Sequence, residues 1–449
     1  MTIKLNKLAI AGAACSAIFA GLSVPAFADT SSIIDKLYEK GVLNDEDYAE
    51  LNKEAKDERR EAAEKSAKDS DPNKVSGKWK DGIKFESKDK QFGIQLAGRV
   101  QQDLRFYDNS NAKEGAYLRR AYFGLKGHVY GDWKFEVTNN IAANTNEYAF
   151  LEYAGNPAAK IRMGNQKFFY SFEEQTSSRF VDFIERSFVN SFDVGKDRGI
   201  QVYGEPQKNK FGYSVALLNG KGQNTDEGNA QSDGFDTMLA FKWNATGDAG
   251  KKDGKVLHVE VAQVKGTQTA GSPGSLKTEA AGDTFFTWTT PGASFDRTKT
   301  NVSLVGIWGP LKLQTERNTM NVSTSSLDQD VKTSYIAASW LLTGERYADS
   351  YSMFGMKGIT PQSQWGQAGG TGAWEIGIRH SSFDAKDLGS SYFSGTDKAS
   401  ATTVGLKWIP NSKVRVVLNY VKTSFEDAIT DVDTVTNEDA WMLRTQVDF

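Results

Sequence analysis

The sequence predicts an all-β fold: a sixteen-stranded antiparallel transmembrane β-barrel with one loop folded into its lumen, preceded by a short helical segment. Three observations support this prediction. The chain ends in a strand that closes on an aromatic residue, its N-terminus has the composition of an export signal, and most of the remainder alternates apolar with polar residues over strand-length runs. Such alternation turns one set of side chains toward lipid and the other toward the barrel interior.

The terminal strand is the first of these observations. Its side chains alternate in character, and its last residue is Phe449. In outer-membrane barrels a C-terminal aromatic strand is the signal that the barrel assembly machinery reads, so we expect that machinery to be a partner. Taken alone, the strand would also fit the edge of a soluble sandwich. The apolar positions are Trp441, Leu443, Val447 and Phe449, and the alternating positions are Met442, Arg444, Gln446 and Asp448.

The N-terminus is predicted to be a signal peptide over residues 1–28. A short basic region precedes the apolar run Leu8–Gly21, and Ala26–Ala28 forms a small-x-small cleavage site, so the mature chain is expected to begin at Asp29. The single cysteine, Cys15, lies inside the apolar run, where the surrounding residues depart from a lipoprotein signal. The mature chain is therefore expected to have neither a lipid anchor nor a disulfide.

The composition favours strands as the elements that cross the membrane. Mean hydropathy is −0.51, and no run outside the signal approaches the roughly 18 apolar residues of a helical span. The chain has 42 glycines, 9 prolines and 12% aromatic residues, which suits long strands, glycine turns and aromatic girdles. Residues 75–449, the predicted barrel, carry as many basic as acidic residues, so any field in the lumen must come from local placement.

Residues 29–74 are predicted to form a periplasmic helical segment and a linker. A short apolar turn ends at Gly41, and Asn44 then caps a second helix with an acidic first turn. A thin apolar stripe follows this second helix. It could be the seam of a trimeric coiled coil or a tether to peptidoglycan, or the helix could be solvated and joined to the barrel by the flexible linker Ser70–Asn73. The stripe consists of Tyr48, Leu51, Ala55 and Ala62.

From Gly82 onward the chain is predicted to be a succession of strands. The clearest is Gln91–Phe106, which has an apolar face and a polar face and is long enough to cross a bilayer with tilt. Sixteen runs of this kind would close around a water-filled lumen, and a short leading strand at Ile83–Lys88 is additional. The other runs are Ala116–Tyr130, Asp132–Ala142, Asn146–Ala154, Ala159–Gln166, Gly199–Gly204, Lys210–Asn219, Phe235–Trp243, Lys255–Lys265, Thr298–Trp308, Leu311–Thr319, Lys332–Thr343, Gly372–Asp384, Ala401–Ile409, Lys413–Thr423 and the terminal strand.

The connections predict which end of the barrel faces outward. Short turns such as Tyr130–Asp132 and Trp308–Pro310 are expected in the periplasm, and long polar insertions outside. Phe168–Arg198 differs, because it mixes many phenylalanines with charged residues. An exposed loop would not carry so many, so this loop is predicted to fold inward and form the constriction. The insertions placed outside are Asn219–Gly234, Gly266–Asp296 and Gly344–Thr371.

Several blocks of the sequence occur in a specific order and spacing. They are Phe92–Arg99, Ala116–Tyr122, Tyr130–Phe135, Thr176–Arg179 leading to Ile184–Arg186, Leu341–Glu345, Gly372–Glu375 and Asn419–Lys422. Over roughly Ile83 to Phe449 the chain thereby resembles the phosphate-selective porins O and P of bacterial outer membranes. The resemblance implies a trimer of sixteen-stranded barrels, each narrowed by an inward-folded third extracellular loop, with arginines that guide and bind anions.

The resemblance also implies roles for particular residues. Arg99 matches a wall arginine, and Arg119 and Arg120 match an arginine pair. Arg186 matches a loop arginine of the phosphate constriction, and Glu147 lies where the family has an acid that completes phosphate coordination.

Residues of the loop match the pattern of the family only in part. Ser177 and Ser178 match serines that donate hydrogen bonds to an anion, and Arg179 is a further candidate. Glu174 instead occupies a position where phosphate-specific members carry a lysine, and Lys265–Asp296 lacks their cluster of arginines. A carboxylate in place of a cation reverses the sign of the electrostatic interaction with a nearby charge, which is worth several kcal/mol at an effective dielectric constant of about 20.

Strand geometry qualifies these assignments. Arg119 and Arg120 are adjacent and should face opposite sides of a strand, so only one is expected to line the lumen unless the other sits at an interface or in a girdle. Arg99 is in phase with the polar face and is expected to be lumenal, the alternative being a structural ion pair in the wall. For Arg179 and Arg186, pairing with acids of the same loop is as reasonable as contact with a solute.

These observations favour a passive channel for small anions such as phosphate. The alternatives are a general diffusion porin without charge preference and a structural envelope protein or adhesin tethered by its N-terminal helix. No enzyme, cofactor or metal site is predicted, since His128, His258 and His380 are far apart. Nucleic acid is not an expected partner. The expected partners are small inorganic anions, outer-membrane lipid and lipopolysaccharide, and the expected location is the outer membrane, with the N-terminal segment in the periplasm.

Overall fold

The computed structural model describes residues 30–70, 74–79, 82–224, 234–247, 254–269, 275–289, 294–367, 369–430 and 434–449. These residues form two compact units that divide between Val75 and Ser76. The predicted signal peptide, residues 1–28, lies outside the described residues, as do residues 71–73 of the predicted linker.

The first unit is a pair of helices, α1 (Thr30–Glu39) and α2 (Asp45–Ser70). Asn44 caps α2 by accepting a hydrogen bond of 2.7 Å from the backbone N–H three residues later. The rings of Tyr38 and Tyr48 stack with centroids 4.2 Å apart, and each hydroxyl donates to an aspartate of the other helix. Neither these helices nor any other helix among the described residues combines the length and apolar character that a membrane span requires.

The second unit is built from strands. In chain order the strands are β1 (Val75–Trp79), β2 (Ile83–Ser87), β3 (Gly93–Asp108), β4 (Gly115–Val129), β5 (Trp133–Asn140), β6 (Thr145–Tyr153), β7 (Lys160–Lys167), β8 (Lys196–Gln207), β9 (Phe211–Leu218), β10 (Asp236–Asn244), β11 (Lys255–Thr269), β12 (Ser275–Lys277), β13 (Thr284–Trp288), β14 (Ser294–Trp308), β15 (Leu311–Ser323), β16 (Asp328–Leu341), β17 (Ala373–Asp384), β18 (Phe393–Gly395), β19 (Lys398–Asn411), β20 (Val414–Thr430) and β21 (Thr434–Asp448).

Sixteen of these strands form the barrel wall. They are β3 to β11, β14 to β17 and β19 to β21, and each pairs antiparallel with the next. β21 pairs back onto β3 and closes the sheet. Each wall strand corresponds to one of the sixteen predicted runs, and β2 is the predicted leading strand. The prediction of a sixteen-stranded antiparallel barrel is therefore confirmed.

The two faces of the wall differ as the alternation predicts. On β10, Leu239 and Phe241 are 62% and 55% exposed, whereas Ala240 and Lys242 are 7% and 0% exposed. The same contrast recurs around the barrel, where large apolar side chains are on the outer face and polar side chains are inside. The outer face is thus suited to lipid.

One long insertion lies at the end of the barrel opposite to the end that was predicted. Gly344–Thr371 follows β16, the twelfth strand of the wall, so it leaves the barrel at the same end as the short turns Tyr130–Asp132 and Trp308–Pro310. The prediction that it is an exterior loop was therefore wrong. It includes a 3₁₀ turn at Tyr347–Ser350 and packs its apolar side chains on inward-facing residues of β11 and β14. Burial of these side chains inside the barrel explains how so long a segment is accommodated at this end.

A second insertion has structure that the sequence did not predict. Within Gly266–Asp296, the short strands β12 and β13 form a small sheet with β18, which lies in the connection between β17 and β19. Phe285 and Phe286 are fully buried there, in an apolar cluster that also contains Phe188 of the predicted constriction loop. The insertion is thus packed against the loop rather than extended.

The barrel closes through backbone bonds at its last residue. The N–H of Phe449 donates to the carbonyl of Gly98 at 3.0 Å, and the N–H of Gly98 donates to the carbonyl of Phe449 at 2.7 Å. A Cβ added at Gly98 would lie 2.3 Å from the Phe449 ring, so only glycine leaves room for that ring.

Deleting Phe449 is expected to leave exported but uninserted protein. The deletion removes the last pair of closing hydrogen bonds, the ring packed on Gly98 and the terminal aromatic signal together. The amount of heat-modifiable barrel in outer-membrane fractions measures the effect. Phe449→Tyr keeps the ring and backbone and should insert normally. Equal barrel levels with and without Phe449 would contradict this prediction.

Candidate functional site

The segment between β7 and β8 begins with a short helix that is anchored to the wall. This helix, α3 (Phe172–Gln175), has Ser171 as its N-cap. The carboxylate of Glu316 on β15 accepts the backbone N–H groups of Phe172 at 3.2 Å and of Glu173 at 2.7 Å. A wall carboxylate thus satisfies two donors at the start of the helix, which helix geometry leaves without intrahelical partners.

The far part of the segment is anchored by charge as well. Arg379 of β17 donates to the backbone carbonyl of Glu185 at 3.1 Å and to Glu279 of the β12–β13 connection at 2.7 Å. It also donates to Glu173 of α3 at 3.2 Å. Glu279 in turn accepts the backbone N–H of Phe188 at 3.0 Å. The N–H of Ile184 donates to Asn419 of β20 at 2.7 Å. The segment therefore contacts inward-facing residues of several wall strands. Its apolar residues that are buried are Phe168, Tyr170, Phe172, Phe183, Ile184, Phe188, Val189 and Phe192.

A β-bulge in β4 changes the prediction for the arginine pair. Gln101 of β3 pairs with Arg120, but Gln102 pairs with Leu118, so Arg119 is an extra residue between them. The extra residue interrupts the alternation, as bulges do. Arg120 bonds to Gln101, and Arg119 bonds to Glu185 of the inserted segment, so both arginines reach the interior. The expectation that only one could do so was wrong, because it assumed a regular strand.

Arg119 belongs to a buried network around one carboxylate. Glu185 accepts from Arg119 at 2.8 and 3.1 Å, from Arg105 at 2.9 Å and from Arg444 at 3.0 Å. Asp103 bonds the latter two arginines again. Burial alone would raise the pKa of the Glu185 carboxyl, but Arg119 and Arg444 hold that pKa well below its usual value. This network ties the segment to β3, β4 and β21.

A second bulge places Glu147. Thr138 of β5 pairs with Tyr148 and Asn139 pairs with Asn146, which leaves Glu147 as the extra residue of β6. Its carboxylate forms an ion pair with Lys196, the first residue of β8. Two of the residues singled out from the sequence, Arg119 and Glu147, therefore lie at interruptions of the wall.

The other seven candidates all line one cavity of about 240 Å³. The candidates that line it are Arg99, Arg120, Glu174, Ser177, Ser178, Arg179 and Arg186; Glu147 contacts it through Lys196, and Arg119 lies outside its lining. The sequence analysis gave no site role to the other lining residues, of which Tyr122, Lys126, Glu136, Tyr148, Lys167 and Lys196 carry titratable side chains. The alternation of Arg120, Tyr122, Gly124 and Lys126 along β4 could have revealed two of them.

The cavity is strongly cationic. Seven lysines and arginines line it, against the two acids Glu136 and Glu174. Among the described residues, no carboxylate lies within ion-pair distance of Arg99, Arg120 or Lys126. The guanidinium of Arg99 donates to the Ser178 hydroxyl at 2.9 Å and lies over a tyrosine ring at 4.3 Å. These three cations are carried by the neighbouring strands β3 and β4.

The loop cations are paired. Glu174 bonds Lys167 and Arg186, each at 3.0 Å. Burial alone would raise the pKa of the Glu174 carboxyl, but Arg186 and Lys167 hold that pKa below its usual value. Arg186 also donates to backbone carbonyls of its own loop. Arg179 pairs with Asp448 of β21 at 3.3 Å rather than with an acid of its own loop, and the Ser177 hydroxyl accepts the Arg179 N–H at 3.4 Å.

Comparison with known proteins places the chain beside porins. Residues 94–449 match the family model described as phosphate-selective porin O and P. The chain is 26% identical to Porin O of Pseudomonas aeruginosa over 427 residues, which cover 83% of this chain and 92% of that protein. Among solved structures, an OmpT variant of Vibrio cholerae that lacks its loop L8 superposes with a TM-score of 0.50 and 12% identity, covering 80% of this chain and 100% of that one. This last similarity concerns the fold.

Glu185→Gln is expected to destabilise the folded barrel by on the order of 3 kcal/mol, because it leaves Asp103 as the one carboxylate of this network to compensate Arg105, Arg119 and Arg444. The temperature at which the barrel loses its heat-modifiable form measures this. The contribution of Glu185 should be complete above a pH of about 4.3 and be lost as the pH falls, since its pKa is lower in the folded state. Glu114→Gln, the same change at an exposed carboxylate, is the matched control. Equal melting of the two variants at neutral pH would show that the network does not stabilise the barrel.

Proposed function

This chain belongs to the phosphate-selective porin O and P family, and on that basis we propose that it is a passive outer-membrane channel for small anions, phosphate among them. The observation that carries the proposal is the cavity of about 240 Å³ in which, among the described residues, no carboxylate lies within ion-pair distance of Arg99, Arg120 or Lys126, Glu136 being the strand partner of Lys126. Partly desolvated cations that lack a counter-ion attract anions more strongly than exposed cations do.

We further propose that the segment Phe168–Arg198 is the constriction. Its anchors on Glu316 and Arg379, and its buried phenylalanines, support a position inside the wall rather than outside it. A segment held to the wall at several points by hydrogen bonds to charged groups would keep the width of the constriction constant, as a selectivity element requires. We also propose that the protein is a homotrimer in contact with lipopolysaccharide, and that residues 29–74 are a periplasmic segment.

A general diffusion porin without firm charge preference is the second candidate. It is favoured by the pairing of most inward-facing cations that the structure describes. Lys242 pairs with Glu260, Lys312 with Asp182, Lys407 with Glu375 and Arg415 with Asp448. Glu174 also favours the general porin, because phosphate-specific relatives have a lysine at this position. Reversal potentials in a salt gradient distinguish the two candidates.

Arg120→Gln is expected to lower the anion preference of the reversal potential and to weaken the block of chloride current by added phosphate. It removes a cation that donates to Gln101 and, within the part of the chain that the structure describes, forms no ion pair. Arg186→Ala should act in the same direction, and Glu174→Gln or Glu174→Lys in the opposite direction. Planar-bilayer recordings at low and physiological salt provide the measurement.

Arg346→Gln is the matched control, since Arg346 pairs with Asp349 in the insertion after β16 and does not line the cavity. It should leave the reversal potential nearly unchanged, because the charge of Arg346 is paired with Asp349 and lies outside the lining of the cavity. Balanced permeation of cation and anion through the unmodified protein would contradict the anion channel and favour the general porin. Absence of any conductance would favour the structural envelope protein.

Removing residues 29–73 is expected to leave unit conductance unchanged, because the barrel strands begin after this segment. Single-channel recording of the full-length and shortened proteins tests this. A change in unit conductance beyond experimental scatter would show instead that the helical segment enters or gates the pore.

A further inference from the structure

A second, larger cavity lies at the end of the barrel opposite the short turns. This outer cavity has a volume of about 570 Å³ and shares no lining residue with the cationic cavity. It is enclosed by the connection between β3 and β4, by the insertion Gly266–Asp296 and by β18. Pockets that hold small organic molecules have volumes of about 300–1,000 Å³. The outer cavity is therefore large enough for more than an inorganic ion.

Hydrogen bonds hold the walls of the outer cavity together. The carboxylate of Asp283, in the insertion, accepts the backbone N–H of Asn111 at 3.0 and 3.2 Å. The N–H of Asp283 donates to Glu438 of β21 at 2.7 Å, and the Ser110 hydroxyl donates to the same carboxylate at 3.0 Å. The two acids thereby join the connection, the insertion and the wall. The shape of the outer cavity is thus fixed by specific contacts.

Cations outnumber acids in the lining of the outer cavity. Lys113, Lys277 and Arg105 line it, against Asp283. Within the described ranges, Lys113 and Lys277 form no ion pair, and both side chains are exposed. Arg105 is only 5% exposed, and its Nε has no hydrogen-bond partner among the described residues. The carboxylate of Asp283 is already occupied by the backbone of Asn111. Two ammonium groups are therefore available to an anion that enters.

Aromatic rings and hydroxyl groups form another part of the lining. The ring of Tyr117 is 38% exposed, and its centroid lies 5.5 Å from the guanidinium of Arg105. The Tyr107 hydroxyl donates to a backbone carbonyl of the insertion at 3.0 Å, which fixes that ring. Thr284 and Ser394 line the cavity with exposed hydroxyl side chains. Flat rings beside hydroxyl groups suit a ligand ring that has apolar faces and hydroxyl substituents at its edge.

An apolar cluster fills the neighbouring part of the same end of the barrel. It includes buried residues of the wall from β14 to β20, among them Met320, Val331, Ala401 and Phe425. A hydrated anion does not enter such a cluster, because it would lose its hydration without gaining partners. Among the described residues, the β3–β4 side, where the outer cavity lies, is therefore the side on which a solute can enter.

We propose that the outer cavity binds an organic phosphate that carries a hydroxyl-bearing ring, such as a hexose phosphate. The ring lies on Tyr117 with its hydroxyl groups toward Thr284 and Ser394, and Lys113 and Lys277 hold the phosphate. The proposal rests on the proposed function, since it names the class of anion that the channel takes. Inorganic phosphate has no ring to place on Tyr117, so the two anions should respond differently to changes in this cavity.

The proposal is tested by the block of chloride current with glucose 6-phosphate added at the side of the long insertions. Glucose 6-phosphate should reach half-maximal block at a lower concentration than inorganic phosphate. Tyr117→Ala should raise that concentration about fivefold to tenfold, the effect of losing one ring contact, and leave block by inorganic phosphate unchanged. Tyr117→Phe keeps the ring and should block normally. Tyr130→Ala is the matched control, because Tyr130 is 68% exposed in a short turn at the other end.

The lysines are tested together. The double variant Lys113→Met with Lys277→Met should raise the glucose 6-phosphate concentration for half-maximal block by about tenfold, because it removes the charged donors to the phosphate. Arginine at both positions keeps the charge and should restore block. Lys332→Met, at a lysine paired with Asp387 outside the outer cavity, is the matched control. Glucose, which lacks the phosphate, should not block at the same concentration.

The possible negative results have different meanings. Heat-modifiability and unit conductance establish that each variant is folded, and Tyr117→Leu replaces Tyr117→Ala if the latter does not assemble. If Tyr117→Ala leaves block by glucose 6-phosphate unchanged, or if that compound blocks no better than inorganic phosphate, the outer site does not exist and the anion channel stands. If the unmodified protein shows neither anion preference nor block by either compound, the proposed function fails, and the outer site fails with it.

Discussion

A sheet that crosses a membrane must leave no free edge, and the rest of this structure depends on that constraint. The pairing of β21 with β3 meets it, down to the mutual backbone hydrogen bonds of Gly98 and Phe449. β2 then pairs with β3 over residues 93–96, beyond the point where β21 ends. Because the wall is closed, its inner face can carry polar groups that would be unacceptable against lipid.

Because the wall is closed, its polar and charged side chains are buried in the barrel interior, where burying them costs free energy. Buried charges need partners, and here the inserted segment and the wall supply them to each other. Glu316 of the wall binds the backbone of α3, while Glu185 of the segment binds Arg105, Arg119 and Arg444 of the wall. This pairing between segment and wall also determines the charge of the cavity. Arg99, Arg120 and Lys126 are wall cations that no carboxylate of the segment neutralises.

The sequence predicted the strands well because alternation is a local property of the chain. It failed where neighbouring strands decide the outcome. The bulge at Arg119 depends on the register against β3, and the meeting of Lys167 with Lys196 depends on how a long hairpin pairs. Gly344–Thr371 was predicted at the wrong end of the barrel because the prediction used only the length of the insertion. The number of wall strands that precede it determines the end at which it lies. The roles of the site residues remain predictions, since they concern a bound anion.

The two bulges also bear on how such a pore can diversify. A one-residue insertion or deletion normally reverses the facing of every side chain that follows in a strand. At Arg119 and Glu147 the extra residue is already absorbed by the local bend, so its loss would restore regular pairing and leave the flanking register unchanged. A barrel of this kind can therefore gain or lose a lumenal charge when one residue is inserted or deleted at a bulge. A comparison that considers substitutions alone would not detect such a change.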